Sequence, residues 1–186
     1  RQFQYFIWRE KSMILEYAKV REDVISPERA NPSDAGLDVF FCPDSQTWEE
    51  ERGVYLKSGE TGIFPTGLKF AVPHGYMLEV KNRSGNASKR SLLVGACVID
   101  SGYEGEVFVN LHNVGKDTQQ IAPGMKIAQL VLIPVVHFRA MENAEEAIYQ
   151  YPMTISQRGE DSLGSTDKVV NKIDYKRFIK YEVKDG

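Results

Sequence analysis

The sequence predicts an all-β domain, built as a sandwich or a barrel. From about residue 14 to residue 138, short strand-like runs are separated by Gly, Pro, Asn and Ser. Turn residues recur roughly every 8–12 positions, which is the spacing typical of small β-sandwiches. Several runs alternate apolar and polar residues, the pattern of a strand with one buried face. No segment repeats at a fixed period, so the sequence does not indicate a solenoid or a propeller.

The first half of the predicted domain contains an opening strand and a group of short strands. Residues 13–20, "MILEYAKV", alternate and predict the opening strand. Residues 62–80, "GIFPTGLKFAVPHGYMLEV", predict two or three strands, because turn residues at 65–67 and 73–75 interrupt the apolar pattern.

The second half contains the two strongest strand patterns. In residues 105–114, "GEVFVNLHNV", the alternation puts Val107, Val109 and Leu111 on one face. Residues 126–138, "KIAQLVLIPVVHF", are apolar almost throughout, which predicts a strand buried on both faces or nearly so. Only "AMENAEEAI" at 140–148 has a helical pattern, enough for about two turns.

The two ends of the chain differ from this domain, which we predict to span residues 13–150. Residues 1–12 precede the first methionine, and we interpret them as an extension or a remnant of cloning. Residues 151–167 are polar and have no periodicity, which predicts a flexible arm. Residues 168–186 form a charged extension of unknown role, and their pattern fits a strand and a helix equally well.

Composition limits the possible functions. A chain of 186 residues can bury a sizeable core in one domain. Its net charge of −3 gives no electrostatic argument for nucleic-acid or membrane binding, and no run of about 18 apolar residues could span a bilayer. Cys42 and Cys97 have neither metal-ligand nor disulfide-framework spacing. We therefore expect a reducing compartment, namely the cytoplasm or, for a viral chain, the host cytoplasm.

Five short clusters carry candidate chemistry, and the first two lie early in the chain. In "SDAGLDVF", residues 33–40, Asp34 and Asp38 flank a glycine and could hold a divalent cation directly or through water. A simple Asx turn before a strand is the plainer alternative. In "KNRSGNASKR", residues 81–90, the Arg83 guanidinium, the Ser84 hydroxyl and the Gly85 N–H suit a polyphosphate. The alternative is a solvated basic loop.

The third cluster, "GACVIDSGYEGEV" at 95–107, ends an apolar run on a carboxylate. Residues 96–99 look like a buried strand, Asp100 follows them, and Tyr103 comes three positions later. A catalytic carboxylate and a tight turn with a solvated carboxylate are both compatible with this pattern.

The last two clusters are polar groups in unusual settings. In "PGMKIAQLV", 123–131, Gln129 is the one polar side chain near the middle of an apolar strand and needs hydrogen-bond partners, structural or ligand. In "RGEDSLGST", 158–166, Arg158, Ser165 and Thr166 could wrap anionic oxygens, or the segment could be a flexible tail.

The order of the clusters is more specific than any one of them. In chain order the clusters read D-A-G-x-D, R-S-G, V-I-D-x-x-Y-x-G, G-x-x-I-A-Q-L and R-G-x-x-x-x-G-S-T. This succession resembles the five-motif signature of the homotrimeric dUTP pyrophosphatases, the dUTPases, over roughly residues 15–166. The resemblance implies a distorted β jelly roll and a homotrimer whose active sites each take motifs from three subunits. It also implies Mg²⁺-dependent hydrolysis of dUTP to dUMP and pyrophosphate, which lowers dUTP and supplies dUMP for thymidylate synthesis.

The resemblance also implies roles for individual residues. Asp100 would be the general base that activates the attacking water, and Tyr103 would pack under the deoxyribose and exclude a 2′-hydroxyl. Asp34 would contact Mg²⁺ through water. The uracil would be held by the hairpin backbone at Cys97, Val98 and Ile99. The phosphates would be bound by Arg83, Ser84, Gly85 and Gln129, with Ser84 near the bridging oxygen of the leaving pyrophosphate. The arm that carries Arg158, Gly164, Ser165 and Thr166 would close over the γ-phosphate, and Leu163 of the same arm would cover the base.

Three departures from the family pattern leave alternatives open. Leu163 replaces an aromatic residue that stacks on uracil, Cys97 replaces a glycine, and Gly102 stands where a second acid is common. These changes would suit relaxed base specificity, or a regulatory member that binds a nucleotide or a protein. A dCTP deaminase shares the fold, but Asn110 stands where its catalytic glutamate would be, so we expect no deamination.

Overall fold

Short antiparallel strands account for most of the regular secondary structure in this computed structural model, which describes residues 13–44 and 53–148. Within those ranges there are eleven strands and two short helices. The elements in chain order are β1 Glu16–Lys19, β2 Leu37–Phe40, β3 Val54–Leu56, β4 Thr61–Pro65, β5 Leu68–Ala71, β6 Tyr76–Lys81, α1 Ser84–Arg90, β7 Leu92–Val94, β8 Val98–Ile99, β9 Phe108–Asn113, β10 Gln119–Ile121, β11 Lys126–Pro134 and α2 Glu145–Ile148.

The strands form four small sheets, and every pairing between them is antiparallel. The largest has the order β2-β11-β6-β8, the second has the order β4-β9-β7, and β1-β5 and β10-β3 form two-stranded sheets. Neighbours in a sheet are mostly distant in sequence, as in sandwiches with crossing connections. The all-β prediction is confirmed.

The core lies between the inner faces of these sheets. Val107, Val109 and Leu111 are almost fully buried, as the alternation of this segment predicts. Phe41 and Phe64 meet edge to face at the centre, with ring centroids 5.1 Å apart. Each fully buried side chain of this size contributes roughly 1.5–3 kcal/mol to folding. The core therefore holds the sheets rigidly enough to position loops at their edges.

Three local predictions differ from the structure. Strand β11 ends at Pro134, and its second half is only partly buried, because one face points away from the core. The opening strand β1 is exposed at all four residues. The helix at 140–148 is a single turn, Glu145–Ile148. Alternation and apolar runs alone do not reveal which face of an edge element is covered.

Helix α1 lies within residues 81–90, which the sequence predicts to be a loop. Gly, Asn and Ser make this seven-residue helix intrinsically weak. Tertiary contacts stabilise it instead: the buried Asn86 side chain donates from Nδ2 to the backbone oxygens of Lys126 (3.0 Å) and Ile127 (3.2 Å). These bonds fasten the helix to the start of β11.

The chain divides into two compact units after Phe138, and the eleven strands described above belong to the first. Of the second unit, the structure describes residues 139–148, which include α2. The predicted domain end at residue 150, the arm at 151–167, the extension at 168–186 and the leader at 1–12 lie outside the described residues. No helix among those described is long and apolar enough to cross a membrane.

Candidate active site

Three of the five clusters meet in one cavity. The cavity has a volume of about 480 Å³ and is lined by Ala30, Asp34, Ala35, Gly36, Asp38, Arg83, Ser84, Gly85 and Gln129. These residues come from segments that are far apart in the chain, and the four-stranded sheet gathers them at one end. The first, second and fourth clusters thus form one polar site.

Strand register explains this gathering. Gln129 on β11 is paired with Asp38 on β2 and with Lys81 on β6, so the three lie in one row across the sheet. Arg83 and Ser84 follow directly where β6 ends and α1 begins. The Gln129 amide donates to the backbone oxygen of Asn82 at 2.9 Å. Of its two N–H groups, one therefore remains for a ligand.

A glycine is required beside Gln129. A Cβ atom at Gly36 would lie 2.6 Å from Gln129 Oε1, closer than real Cβ atoms approach an oxygen. The absence of a side chain lets the loop before β2 lie directly against β11. Gly36 lines the same cavity as Asp34 and Arg83.

Arg83 enters the cavity already oriented by a carboxylate. Its Nε donates to Asp38 Oδ1 at 2.8 Å and its Nη2 donates to Asp38 Oδ2 at 3.2 Å, a two-bond fork. A guanidinium has five N–H donors, so three remain for a bound anion. The same carboxylate accepts a contact from Lys126 Nζ at 3.1 Å, and Lys126 also reaches Glu28 at 2.6 Å. The hydrogen bonds that the Lys126 ammonium donates to Glu28, and then to Asp38, raise the pKa of Lys126.

Asp34 shapes the loop in front of the cavity. Its Oδ2 accepts the backbone N–H of Asn31 at 2.9 Å, and its own N–H donates to the Asn31 oxygen at 3.0 Å. This is the local turn that the sequence offered as the plainer alternative, and the same carboxylate also lines the cavity. A carboxylate has about four lone-pair sites, so Asp34 can still accept bonds from water.

Asp100 and Tyr103 stand at a second cavity, of about 200 Å³. The Tyr103 N–H donates to the Asp100 oxygen at 3.2 Å and closes a turn in which Gly102 has a φ of +90°, a value that side chains rarely adopt. The Asp100 carboxylate is exposed to solvent. The Tyr103 hydroxyl donates to the backbone oxygen of Glu106 at 2.9 Å. The phenol ring of Tyr103 lies so close to Gly105 that a Cβ atom there would collide with it.

The interpretation of residues 96–99 as a buried strand is wrong. Cys97 is exposed, and 54% of Val98 is accessible to solvent, whereas Ile99 is buried. Strand β8 lies at the edge of the four-stranded sheet, so only one of its faces touches the core. The Cys97 oxygen accepts the Val80 N–H at 2.7 Å, which fixes the backbone just before Asp100.

The two cavities lie far apart within one chain. Ile99 is paired with Leu78 and Val98 with Glu79, so Asp100 continues toward Met77. Arg83 lies six residues beyond Met77, past the other end of β6. At the rise of a β-strand, six residues correspond to a distance of about 20 Å. The cavities share no lining residue. One chain therefore does not bring Asp100 and Tyr103 to Arg83, Ser84 and Gln129.

Comparison with known proteins decides the family. The profile of the family named dUTPase matches residues 22–166. The chain belongs to the dUTPase family. The deoxyuridine 5′-triphosphate nucleotidohydrolase of Clostridium acetobutylicum is 36% identical over 154 residues, covering 82% of this chain and 95% of the relative. The enzyme of that name from Tolumonas auensis is 35% identical over 156 residues, covering 81% of this chain and 93% of the relative.

Solved structures show the same fold. The dUTPase of phage phi11 of S. aureus is 27% identical with a TM-score of 0.61, over 72% of this chain and 97% of that chain. The dUTPase of Staphylococcus bacteriophage 80alpha with dUPNHPP is 24% identical with a TM-score of 0.66, over 82% of this chain and 98% of that chain. A variant of the phi11 enzyme is 26% identical with a TM-score of 0.60, over 72% of this chain and 98% of that chain. That variant coordinates a structural Mg(II) ion. The expected dUTPase fold is confirmed.

Two residues near this dUTPase-type site were missed by sequence reasoning. Glu28 and Lys126 join the Asp38–Arg83 pair, although neither belongs to the residues picked from the motifs. Lys126 stands inside the fourth motif, but its contact with a carboxylate on β2 depends on strand pairing. Only a correct sheet order could have revealed it from the sequence.

The described part of the chain holds no ready-made metal cage. Among residues 13–44 and 53–148, no group of three or more His, Cys, Asp or Glu side chains could hold a metal ion. The fifth-motif residues predicted to close over the substrate lie outside the described ranges; these are Arg158, Leu163, Gly164, Ser165 and Thr166.

Proposed function

We propose that this chain hydrolyses dUTP to dUMP and pyrophosphate, thereby lowering dUTP and supplying dUMP for thymidylate synthesis. The observation that carries the proposal is the cavity in which Arg83, Ser84 and Gln129 converge. Its donors suit a polyphosphate, and membership of the dUTPase family supports dUTP as the substrate. The two nucleotidohydrolases that resemble the chain over most of their length add to this support.

In the proposed reaction, Asp100 accepts a proton from water as the water oxygen attacks the α-phosphorus. A bond forms between that oxygen and phosphorus, and the bond to the α–β bridging oxygen breaks, so pyrophosphate leaves with the electron pair. A positioned general base contributes roughly 10²–10⁴-fold. The Asp100 side chain is exposed to solvent, so a substrate water can reach its carboxylate.

The phosphate cavity would stabilise charge during this step. Arg83 has three N–H donors left for phosphate oxygens, and the Ser84 hydroxyl would donate a hydrogen bond to the bridging oxygen as negative charge develops there. Gln129 would donate its remaining N–H. The Gly85 N–H, exposed at the start of α1, adds a fourth group without a side chain in the way.

Base and sugar selection would come from the hairpin around Asp100. Tyr103, 46% exposed, offers a ring face on which a deoxyribose can lie, and a 2′-hydroxyl would collide with it. Backbone groups at Cys97, Val98 and Ile99 would hold uracil. The exposed Cys97 side chain also supports a second candidate, a dUTPase-like enzyme with relaxed base specificity, because a side chain replaces a glycine there.

The residues present fit a Mg²⁺ ion that is bound mainly through the substrate. Asp34 supplies carboxylate oxygens at the cavity, while Asp38 is engaged by Arg83 and Lys126, so the described residues form no complete cage. Mg²⁺ usually keeps several waters and uses substrate phosphates. Asp34 would contact such an ion through water, since its lone pairs are only partly used. When bound, Mg²⁺ neutralises phosphate charge and aligns the chain of phosphates.

The separation of the two cavities supports active sites that are shared between copies of the chain, and the family resemblance supports a homotrimer. Asp100 and Arg83 must act on the same triphosphate, yet they lie about 20 Å apart along β6 within one chain. A second copy would bring its Asp100 and Tyr103 to the Arg83 cavity of the first. We expect the arm residues of a third copy to complete each site, and we place the reaction in the cytoplasm, or the host cytoplasm for a viral chain.

Deamination of dCTP is not part of this proposal. Asn110 is an amide that donates to the Gly62 oxygen at 3.3 Å, so it is used as a structural group on β9. An amide cannot shuttle the proton that deamination requires, because it has no ionisable group at neutral pH.

The proposal is tested by measuring pyrophosphate release from dUTP, dCTP, dTTP and UTP in the presence of Mg²⁺. We expect selective hydrolysis of dUTP, and a loss of about 10²–10⁴-fold in kcat on Asp100→Asn, with the affinity for a non-hydrolysable dUTP analogue retained. Cleavage of several deoxynucleotides would instead favour relaxed base specificity. Full activity of Asp100→Asn would contradict the assigned base.

A further inference from the structure

An ion network extends behind the phosphate cavity. Lys126 Nζ lies 2.6 Å from Glu28 Oε1 and 3.1 Å from Asp38 Oδ2, and Asp38 in turn holds Arg83. The Asp38 side chain is only 13% exposed, so its interactions are screened less than those of a surface pair. Two cations and two carboxylates therefore alternate in a row that ends at the Arg83 guanidinium.

The fold fixes each member of this row. Glu28 and Asp38 form an isolated antiparallel bridge, with Asp38 N–H donating to the Glu28 oxygen at 2.7 Å and Glu28 N–H donating to the Asp38 oxygen at 3.2 Å. Lys126 is paired in register with Phe40, and its ammonium group lies 5.6 Å from the centre of that ring. The lysine is thus held by two carboxylates and an aromatic face.

We propose that Lys126, held in place by Glu28, is a positioning residue for phosphate binding and acts through Asp38 on Arg83. This inference rests on the proposed hydrolysis of a nucleoside triphosphate. Lys126 does not line the phosphate cavity, whereas Asp38 and Arg83 both do. Its effect on a bound anion therefore passes through the shared carboxylate rather than through direct contact.

Electrostatics gives the direction of the effect. Asp38 is a negative charge at the edge of a cavity that must accept a polyphosphate, and Lys126 offsets part of that charge. Without the ammonium group, Asp38 would repel the phosphates more strongly and would be free to shift, taking the Arg83 fork with it. Loss of Lys126 should thus weaken substrate binding rather than the chemical step.

The test combines single and double variants in the full-length protein. Lys126→Ala should raise KM for dUTP about threefold to tenfold with kcat nearly unchanged, and Lys126→Arg should restore KM because it keeps the charge. Glu28→Gln should give a smaller rise in KM. In an Asp38→Asn background, Lys126→Ala should have no further effect on KM, because the group through which it acts is gone.

Inorganic pyrophosphate, measured by titration calorimetry, provides a readout that is independent of hydrolysis. Lys126→Ala should weaken pyrophosphate binding by a similar factor, with the melting temperature checked for each variant. Wild-type protein that binds pyrophosphate in this Lys126-dependent way but does not cleave dUTP would contradict the proposed function alone. The inference would be overturned if Lys126→Ala left pyrophosphate binding and KM unchanged, or lowered kcat at constant KM. It would also be overturned if Lys126→Arg did not restore KM, or if Lys126→Ala raised KM equally in the Asp38→Asn background.

Discussion

The two cysteines show how one residue type acquires opposite properties from its surroundings. Cys42 is 7% exposed, and burial raises the pKa of its thiol, whereas Cys97 is exposed beside the Asp100 turn. A thiol with a raised pKa stays protonated at neutral pH and reacts slowly, because the thiolate is the nucleophile. Position in the fold thus decides which of the two can react.

We expect a maleimide to label Cys97 in the folded protein and to leave Cys42 unlabelled until the chain unfolds. If Cys97 lies against the uracil, labelling should abolish most dUTP hydrolysis, and excess dUMP should slow it. Mass spectrometry of peptides from the treated protein measures the labelling, and pyrophosphate release measures the activity. The matched control is Cys97→Gly, which should keep its activity after the same treatment. Full activity of a completely labelled wild-type protein would remove Cys97 from the proposed base-binding hairpin.

Burial of the Cys42 thiol also affects stability at high pH. The pKa of this thiol is higher in the folded than in the unfolded chain. Its contribution to the free energy of unfolding is therefore complete below the ordinary thiol pKa of about 9 and is lost as pH rises beyond that value. The sign follows because the unfolded thiol releases its proton first. At neutral pH the thiol is protonated in both states, so this loss of stability appears only at high pH.

At the scale of elements, helix α1 begins with Ser84 and Gly85, which line the cavity, although its own sequence is a poor helix former. Asn86 fastens it through two hydrogen bonds to consecutive carbonyl groups of β11. The side chain is 7% exposed, so removing it would leave the two carbonyl groups without that donor in a region with little access to water. Packing of one amide thus substitutes for helix propensity.

We expect Asn86→Ala to lower the free energy of unfolding by about 1–3 kcal/mol, measured by chemical denaturation. Because α1 begins at Ser84, KM for dUTP should rise as well. Ser88 is a matched control on the same helix: it is exposed, and its hydroxyl donates to the backbone oxygen of Ser84 within the helix itself. Ser88→Ala should change stability by no more than about 0.5 kcal/mol. Equal effects of the two variants would contradict the anchoring role of Asn86.

Much of the element layout could be predicted from the sequence. The alternation of 105–114 indicated the buried face of β9, and the turn residues at 65–67 and 73–75 correctly separated β4, β5 and β6. Elements whose stability comes from elsewhere were not predictable in this way. Helix α1 depends on Asn86, and the exposed side of β8 depends on its place at a sheet edge, neither of which is written in local periodicity.

At the scale of the whole molecule, the candidate site was predictable in content but only partly in arrangement. The order of the motifs indicated Arg83, Ser84 and Gln129 as neighbours, and the structure brings them to one cavity. The link from Lys126 to Asp38 was not predictable, because it depends on the register between β11 and β2. Long-range pairing is set by the packing of the sheets rather than by any single segment.

The distance between Asp100 and Arg83 leads to the last prediction, which concerns assembly. Asp100→Asn chains keep an intact phosphate cavity, and Arg83→Ala chains keep an intact Asp100 turn. Each variant alone should be inactive. If each active site takes Asp100 and Arg83 from different subunits of a trimer, equal amounts of the two variants, refolded together, should recover about a quarter of the wild-type rate by random assembly. The rate of pyrophosphate release from dUTP measures this recovery.

A second mixture separates shared sites from sites within one chain. Wild-type chains refolded with an equal amount of the Asp100→Asn/Arg83→Ala double variant should give about a quarter of the full rate if the sites are shared, and about half if each chain acts alone. No recovery in the first mixture, together with half activity in the second, would mean that one chain supplies both groups. In that case the edge strand β8 would have to rearrange to bring Asp100 to Arg83 within one chain. The strand register instead favours about a quarter of the wild-type rate in both mixtures.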